Sequence, residues 1–226
     1  MPTRITPFVD GEYYHCFNKT ISGDSIFLDP NITKVFREIV WFYRSKEAIH
    51  RHSHFTRLSK REKEDVEKAL NNPTHFNASI LAYVVMPNHF HFIFRQNSDG
   101  SIENMMRNTL ISFTRYFNVL HKRKGPLFLT QFKAVRIRSQ DQLLHTTRYL
   151  HLNYYSSGIV TDISRLTQVP SSYHVYINGE KDLLVDYSLI VKVFGERREQ
   201  YKKFVEDNAE YQKTLDYIKH TKKWNL

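Results

Sequence analysis

The segment "YVVMPNHFHFIFRQ", Tyr83 to Gln96, constrains this chain more than any other stretch. Two apolar, β-prone runs meet at Pro87-Asn88, which reads as a tight hairpin between "SILAYVVM" and "HFHFIFRQ". Side chains alternate across a strand, so Phe90, Phe92 and Phe94 share one face and His89 and His91 the other. The phenylalanines need covering helices. The imidazoles share the opposite face, where their ring nitrogens can grip one divalent ion. Two histidines are too few for a closed zinc site, and a lone Cys16 rules out Cys-based zinc and internal disulfides. The pair suits an open site, completed by a third protein ligand and a phosphate oxygen around Mg²⁺ or Mn²⁺.

The rest of the pattern supplies the elements to cover such a hairpin. "EYYHCFNKT" reads as a first strand. Asp29 and Pro30 then open a helix striped by Ile32, Val35, Phe36, Ile39, Val40 and Tyr43. Residues 50–77 are polar and read as an insertion with a short helix from Ser59 to Leu70. The run "HRHSH", His50 to His54, lacks a second ligand set and reads as a loop. After "NSDGS", Ile102, Met105, Met106, Leu110, Phe113, Phe117 and Leu120 mark a long amphipathic helix. "FKAVRIR", Phe132 to Arg138, alternates as a fourth strand. Ser139 and Gln142 form a capping box for a further helix stopped at Gly158.

The order strand, helix, strand, strand, helix, strand, helix predicts an α+β fold. Its core is a ferredoxin-like βαββαβ unit with an antiparallel sheet, over residues 1–160. Residues 161–226 read as a helical C-terminal extension, with Ser171 to Asn178 as loop or short strand. Helices are expected over Val185–Phe194, Glu196–Asn208 and Tyr211–Lys223. Lys219, Lys222 and Lys223 beside Trp224 read as a solvated helix end.

Lys and Arg number 33 against 23 Asp and Glu, a net charge of +10, which favours a polyanionic partner and above all nucleic acid. No run approaches the roughly 18 apolar residues of a membrane span, and the N-terminus lacks a signal-like core. A cytoplasmic protein without a membrane partner is expected. On the helix before Gly158, Tyr149 and Asn153 lie four residues apart, about 40° around the axis, with His145 one turn earlier on the same stripe.

Four stretches, "YYHCFNK", "VVMPNHFHFIF", "GPLFLTQFKAVRI" and "RYLHLN…SGIV", resemble the REP-associated tyrosine transposases, members of the single-tyrosine HUH transposases. The likeness runs from about Tyr13 to Val160, in order. It implies that His89 and His91 form the HUH motif, that Tyr149 is the nucleophile and that Asn153 is the third metal ligand. It further implies a metal-dependent single-strand DNA endonuclease and strand-transferase, cutting beside hairpins of repeated palindromic elements through a 5′-phosphotyrosine. The chain departs from the family where Asn153 is followed by Tyr154 rather than proline. It departs again where the first strand ends Asn18-Lys19-Thr20 rather than Asn-Arg-Gly.

His145 is the candidate for proton transfer. Arg107, Arg115, Lys122, Arg123, Lys124, Lys133, Arg136 and Arg138 are the candidate DNA contacts. The chain is expected to act as a monomer or homodimer. Two rival readings use the same residues: a binding module that grips structured nucleic acid without cutting it, and a nuclease in which water attacks and Tyr149 only packs.

Overall fold

The computed structural model describes residues 7–180 and 182–222. Four strands form one antiparallel sheet: β1 (Tyr13–Lys19), β2 (Ala78–Met86), β3 (His89–Gln96) and β4 (Lys133–Ile137), in the order β2-β3-β1-β4. That order, with helices between β1 and β2 and between β3 and β4, is the ferredoxin-like βαββαβ arrangement. Sheet register decides which side chains flank the two histidines. His91 stands opposite Phe17 of β1 and Val84 of β2, and His89 opposite Lys19 and Met86. On the other flank of β1, Val135 faces His15 and Lys133 faces Phe17.

Helices α1 (Pro30–Tyr43) and α4 (Ser101–Leu120) pack together on one side of the sheet. Asp29 caps α1 by accepting from the Asn31 N–H at 2.8 Å, and Pro30 occupies the first turn, where its missing N–H costs nothing. Their apolar stripes close over β3. Phe36 lies 5.0 Å, ring to ring, from both Phe90 and Phe113, while Phe128 closes on Phe90 at 5.7 Å. Phe90, Phe92 and Phe94 are each completely buried.

Between α1 and β2 the chain forms α2 (His52–Phe55) and α3 (Lys60–Leu70). Ser59 and Glu62 form the full capping box of α3. The expected loop at His50 to His54 holds for His50 and Arg51 but turns helical from His52. His52 and Phe55 are buried against Phe42, so burial enforces structure where polarity suggested none. The excursion returns to its origin, since the Asn77 N–H donates to the Arg44 carbonyl at 2.7 Å.

Helix α5 (Gln140–Ser156) covers the other face of the sheet, over β2 and β3. Ser139 caps it, but the box is incomplete: Gln142 reaches back to the Arg138 N–H at 2.7 Å, one residue before the cap. The segment from Ser171 to Asn178 differs from the expected loop or strand. Pro170 and Ser172 bond the backbone of β2 at Val85 and Tyr83, and helix α6 (Tyr173–Asn178) begins at once. Helices α7 (Ser188–Val193), α8 (Arg198–Glu206) and α9 (Ala209–Lys222) come next, each shorter than or shifted from its expected span. Lys223 and Trp224 lie outside the described residues.

Helix α6 packs on α8, and α9 packs along α5. A buried relay joins this extension to the core: His151 of α5 bonds Ser172 at 2.8 Å and the Tyr201 hydroxyl at 2.7 Å. Among the described residues no helix is long and apolar enough to cross a membrane.

Candidate functional site

The pleat of β3 places His89 and His91 on the face covered by α5. Their rings lie 5.1 Å apart and nearly perpendicular. Tyr149 projects from α5 onto the same spot. Its ring centre is 6.0 Å from that of His91, edge to face. The phenol is neither distant from the imidazoles nor turned into the core.

Each histidine has one ring nitrogen already engaged. His89 Nδ1 bonds the Asn88 side-chain oxygen at 2.7 Å, and His91 Nδ1 shares a hydrogen bond with His15 Nε2 at 2.8 Å. Engaging Nδ1 fixes ring orientation and leaves Nε2 of both rings to meet a cation, as outer partners of ligating histidines do. Burial holds both rings below the ordinary histidine range. His91 falls well below it, aided by the neighbouring His15 and His89. Both are therefore neutral, the form a metal accepts.

His15 has no counterpart among the residues expected from sequence. It sits on β1, two residues from Phe17, and burial lowers its pKa to about 4. Its ring stacks on His91 at 5.0 Å and meets Tyr149 at 6.3 Å. The alternation of "YYHCFNK" places it on the site face, but only the β1–β3 register reveals its partner.

Asn153, one turn beyond Tyr149, donates its amide to the Tyr149 carbonyl at 3.0 Å. Gln212 of α9 donates to the same carbonyl at 3.0 Å. Tyr149 is pushed above the ordinary phenol range, first by burial and then by the negative charge of Asp216, against an amide hydrogen bond from Asn153 that pulls it down. The same Asp216, on α9, acts on His89 in the opposite sense to burial. Asp216 and Gln212 are also illegible from sequence, because a lone acid and amide on a polar C-terminal helix carry no spacing signal.

Tyr154 and Tyr155 point elsewhere. The Tyr154 hydroxyl donates to the Val85 carbonyl at 2.7 Å, and the Tyr155 hydroxyl donates to Glu210. His145 is not brought to the pair either; Arg148 bonds it at 2.8 Å and its ring leans on Phe204 of α8.

The basic candidates divide by face. Lys133 is exposed on the site side of β4, and Lys122 and Lys124 are exposed on the loop that leads to it. Arg123 ties that loop to itself through Asn118 and the Pro126 carbonyl. Arg136 opposes Tyr14 on the other face and pairs with Glu12 at 2.8 Å. Arg107 and Arg115 ride on α4, across the sheet, where Arg107 bonds Asn104 and Arg115 lines a cleft with α1 and α2. Arg138 is exposed at the start of α5.

The residues present fit a divalent cation: two Nε2 atoms on neutral rings, with the Asn153 carboxamide one turn beyond Tyr149 on the facing helix. Among the described residues, no group of three or more His, Cys, Asp and Glu is placed to hold a metal, so a site here depends on an amide.

No family model and no curated protein matches the chain. Among solved structures it is similar to a REP-associated tyrosine transposase bound to a REP hairpin. The sequence identity is 17%, the TM-score 0.53, and the match covers 83% of this chain and 94% of that one. At this identity the likeness establishes a shared fold.

Proposed function

We propose that this chain is a metal-dependent single-strand DNA endonuclease and strand-transferase of the transposase type, working beside DNA hairpins. The observation that carries the reading is the meeting of Tyr149 with His91, which lies against His89, the Nδ1 atoms of both imidazoles being already engaged. The hairpin bound by the similar structure supports the choice of substrate.

His89, His91 and Asn153 would hold Mg²⁺ or Mn²⁺, which when bound supplies positive charge to a non-bridging oxygen of the scissile phosphate. Helix α5 holds the Tyr149 phenol rigidly, so the attacking oxygen and the phosphate can align without reorganisation. Burial and Asp216 oppose ionisation of that phenol, and the Asn153 amide favours it. Attack by Tyr149 would form a bond from its phenolic oxygen to the phosphorus of the downstream strand's 5′-phosphate and break the P–O3′ bond. The phenol's proton balances the one gained by the leaving 3′-hydroxyl. A second 3′-hydroxyl can later displace Tyr149, which rejoins the strands with no external energy source.

The test is a denaturing gel of labelled hairpin DNA with a single-stranded flank, incubated with Mn²⁺. The wild type should yield a protein–DNA adduct, and Tyr149→Phe should lose it while keeping hairpin affinity. An adduct that survives Tyr149→Phe, or cleavage without any adduct, refutes the tyrosine mechanism.

A further inference from the structure

Helix α5 packs on β2 and β3, and beside it the same sheet face is exposed at Lys19 of β1 and at Lys133 and Val135 of β4. Along β1, His15, Phe17 and Lys19 point to this side, and on β4 Val135 and Lys133 stand opposite His15 and Phe17. Cross-strand partners share a face, so these five side chains form one strip. Val135 is 50% exposed, an apolar residue in the middle of an open strand. Lys19 and Lys133 are exposed beside it. Phe17 is half-buried, stacks on His91 at 5.3 Å and 27°, and lies 5.0 Å from His15.

We infer that this strip binds the single-stranded DNA adjoining the scissile phosphate, with a base on the Phe17–Val135 surface and phosphates at Lys19 and Lys133. The inference rests on the nucleic-acid reading above and extends it from the cut to the strand that flanks it. Three observations converge on it. The strip carries two cations and no carboxylate, which suits a polyanion and disfavours a basic or purely apolar protein surface. Its aromatic and apolar groups alternate with lysines, the pattern by which single strands are held through stacking and phosphate contacts. It also runs without interruption into the candidate site, since Phe17 touches His91 and Lys19 opposes His89. From His15 to Lys19 the strand spans about 13 Å, room for the two or three bases that aromatic residues on a four-stranded sheet stack.

The experiment measures fluorescence anisotropy in EDTA, so that any effect on metal binding is removed. The DNAs are one hairpin bare, and the same hairpin with a flank of about six nucleotides on either end, within single-strand site sizes. A flank on one side should tighten wild-type binding. Phe17→Ala should weaken flanked-hairpin binding by about 5- to 150-fold, the loss of one stacked base, and leave the bare hairpin unchanged. Val135→Glu, at an exposed position that the fold tolerates, should do the same by setting a carboxylate among phosphates. The strip is overturned if flanks add nothing to wild-type affinity, or if both variants keep the gain. An RNA flank held more tightly than DNA overturns the assignment to DNA. Failure of the wild type to bind even the bare hairpin overturns the nucleic-acid reading itself, and the strip with it.

Discussion

Replacing His15 isolates the effect of a partner on His91, a proposed metal ligand. In His15→Phe the ring that stacks on His91 at 5.0 Å is kept, but the 2.8 Å hydrogen bond to Nδ1 disappears. His91 is only 7% exposed, so water cannot freely replace the missing partner. An orphaned buried polar atom costs about 1–3 kcal/mol. Outer partners of ligating histidines are worth about 10- to 100-fold in metal affinity, which converts to about 1.4–2.8 kcal/mol. Mn²⁺ should therefore bind His15→Phe about 10- to 100-fold more weakly. Electron paramagnetic resonance of free Mn²⁺, titrated against protein without DNA, reads this directly. Stability should fall by up to about 1–3 kcal/mol, the cost of the Nδ1 left without a partner. His15→Gln, whose amide oxygen can accept from the His91 Nδ1–H in place of Nε2, should recover part of the affinity. Wild-type Mn²⁺ affinity in His15→Phe, or no recovery in His15→Gln, refutes the positioning role.

His151 is fully buried, and its pKa is pulled down to about 3, first by burial and then by His174. The unfolded ring takes a proton below about pH 6.5, while the folded ring does not until about 3. Stability from this residue is therefore present above 6.5 and lost as pH falls, by about 2 kcal/mol between pH 7 and 5. Urea midpoints should show this slope in the wild type and a flatter one in His151→Gln. Phe36→Ala, which opens a space among Phe27, Phe90, Phe92 and Phe113, should cost about 3–5 kcal/mol in the same assay. Changing Lys122 and Lys124 to Ser should flatten the salt dependence of DNA binding, by roughly 0.7–0.9 in slope for each phosphate no longer neutralised.

The strand and helix order was legible because each core element carries a clean period. The hairpin at Pro87-Asn88, the Asp29 cap and the stripe of α1 all stand where local patterning places them. Local signals failed where a distant neighbour decides conformation. His52 is polar by sequence, yet Phe42 and Phe55 draw it into the core and its segment into a helix. The residues after Pro170 read as loop or short strand, yet they touch β2 over only a few positions before Ser172 is captured by His151 and a helix begins. The pairing of His89 with His91, the approach of Tyr149 to His91 and that of Asn153 to Tyr149 follow from two periods, 2 on the strand and 3.6 on the helix. His15, Gln212 and Asp216 did not, since each meets the site only through sheet register or the docking of α9.

That division has a physical root. Strand β3 must satisfy two environments at once, and alternation lets it place Phe90, Phe92 and Phe94 in a dry core while presenting His89 and His91 to the opposite face. A shift of register by one residue would exchange the two sets, burying imidazoles among phenylalanines and exposing the rings that hold α1 and α4. Fold and site are thus specified by the same ladder. The β1 pairing that brings His15 to His91 also brings Phe17 and Lys19 into line with the imidazoles, so the orienting partner and the open strip arise from one register. A substitution that slips β1 against β3 should therefore weaken Mn²⁺ binding and flank recognition together, whereas His15→Phe, which keeps an aromatic ring in the strip, should weaken the first and retain most of the second in EDTA. Measured side by side, the two assays separate a defect in one hydrogen bond from a defect in the sheet.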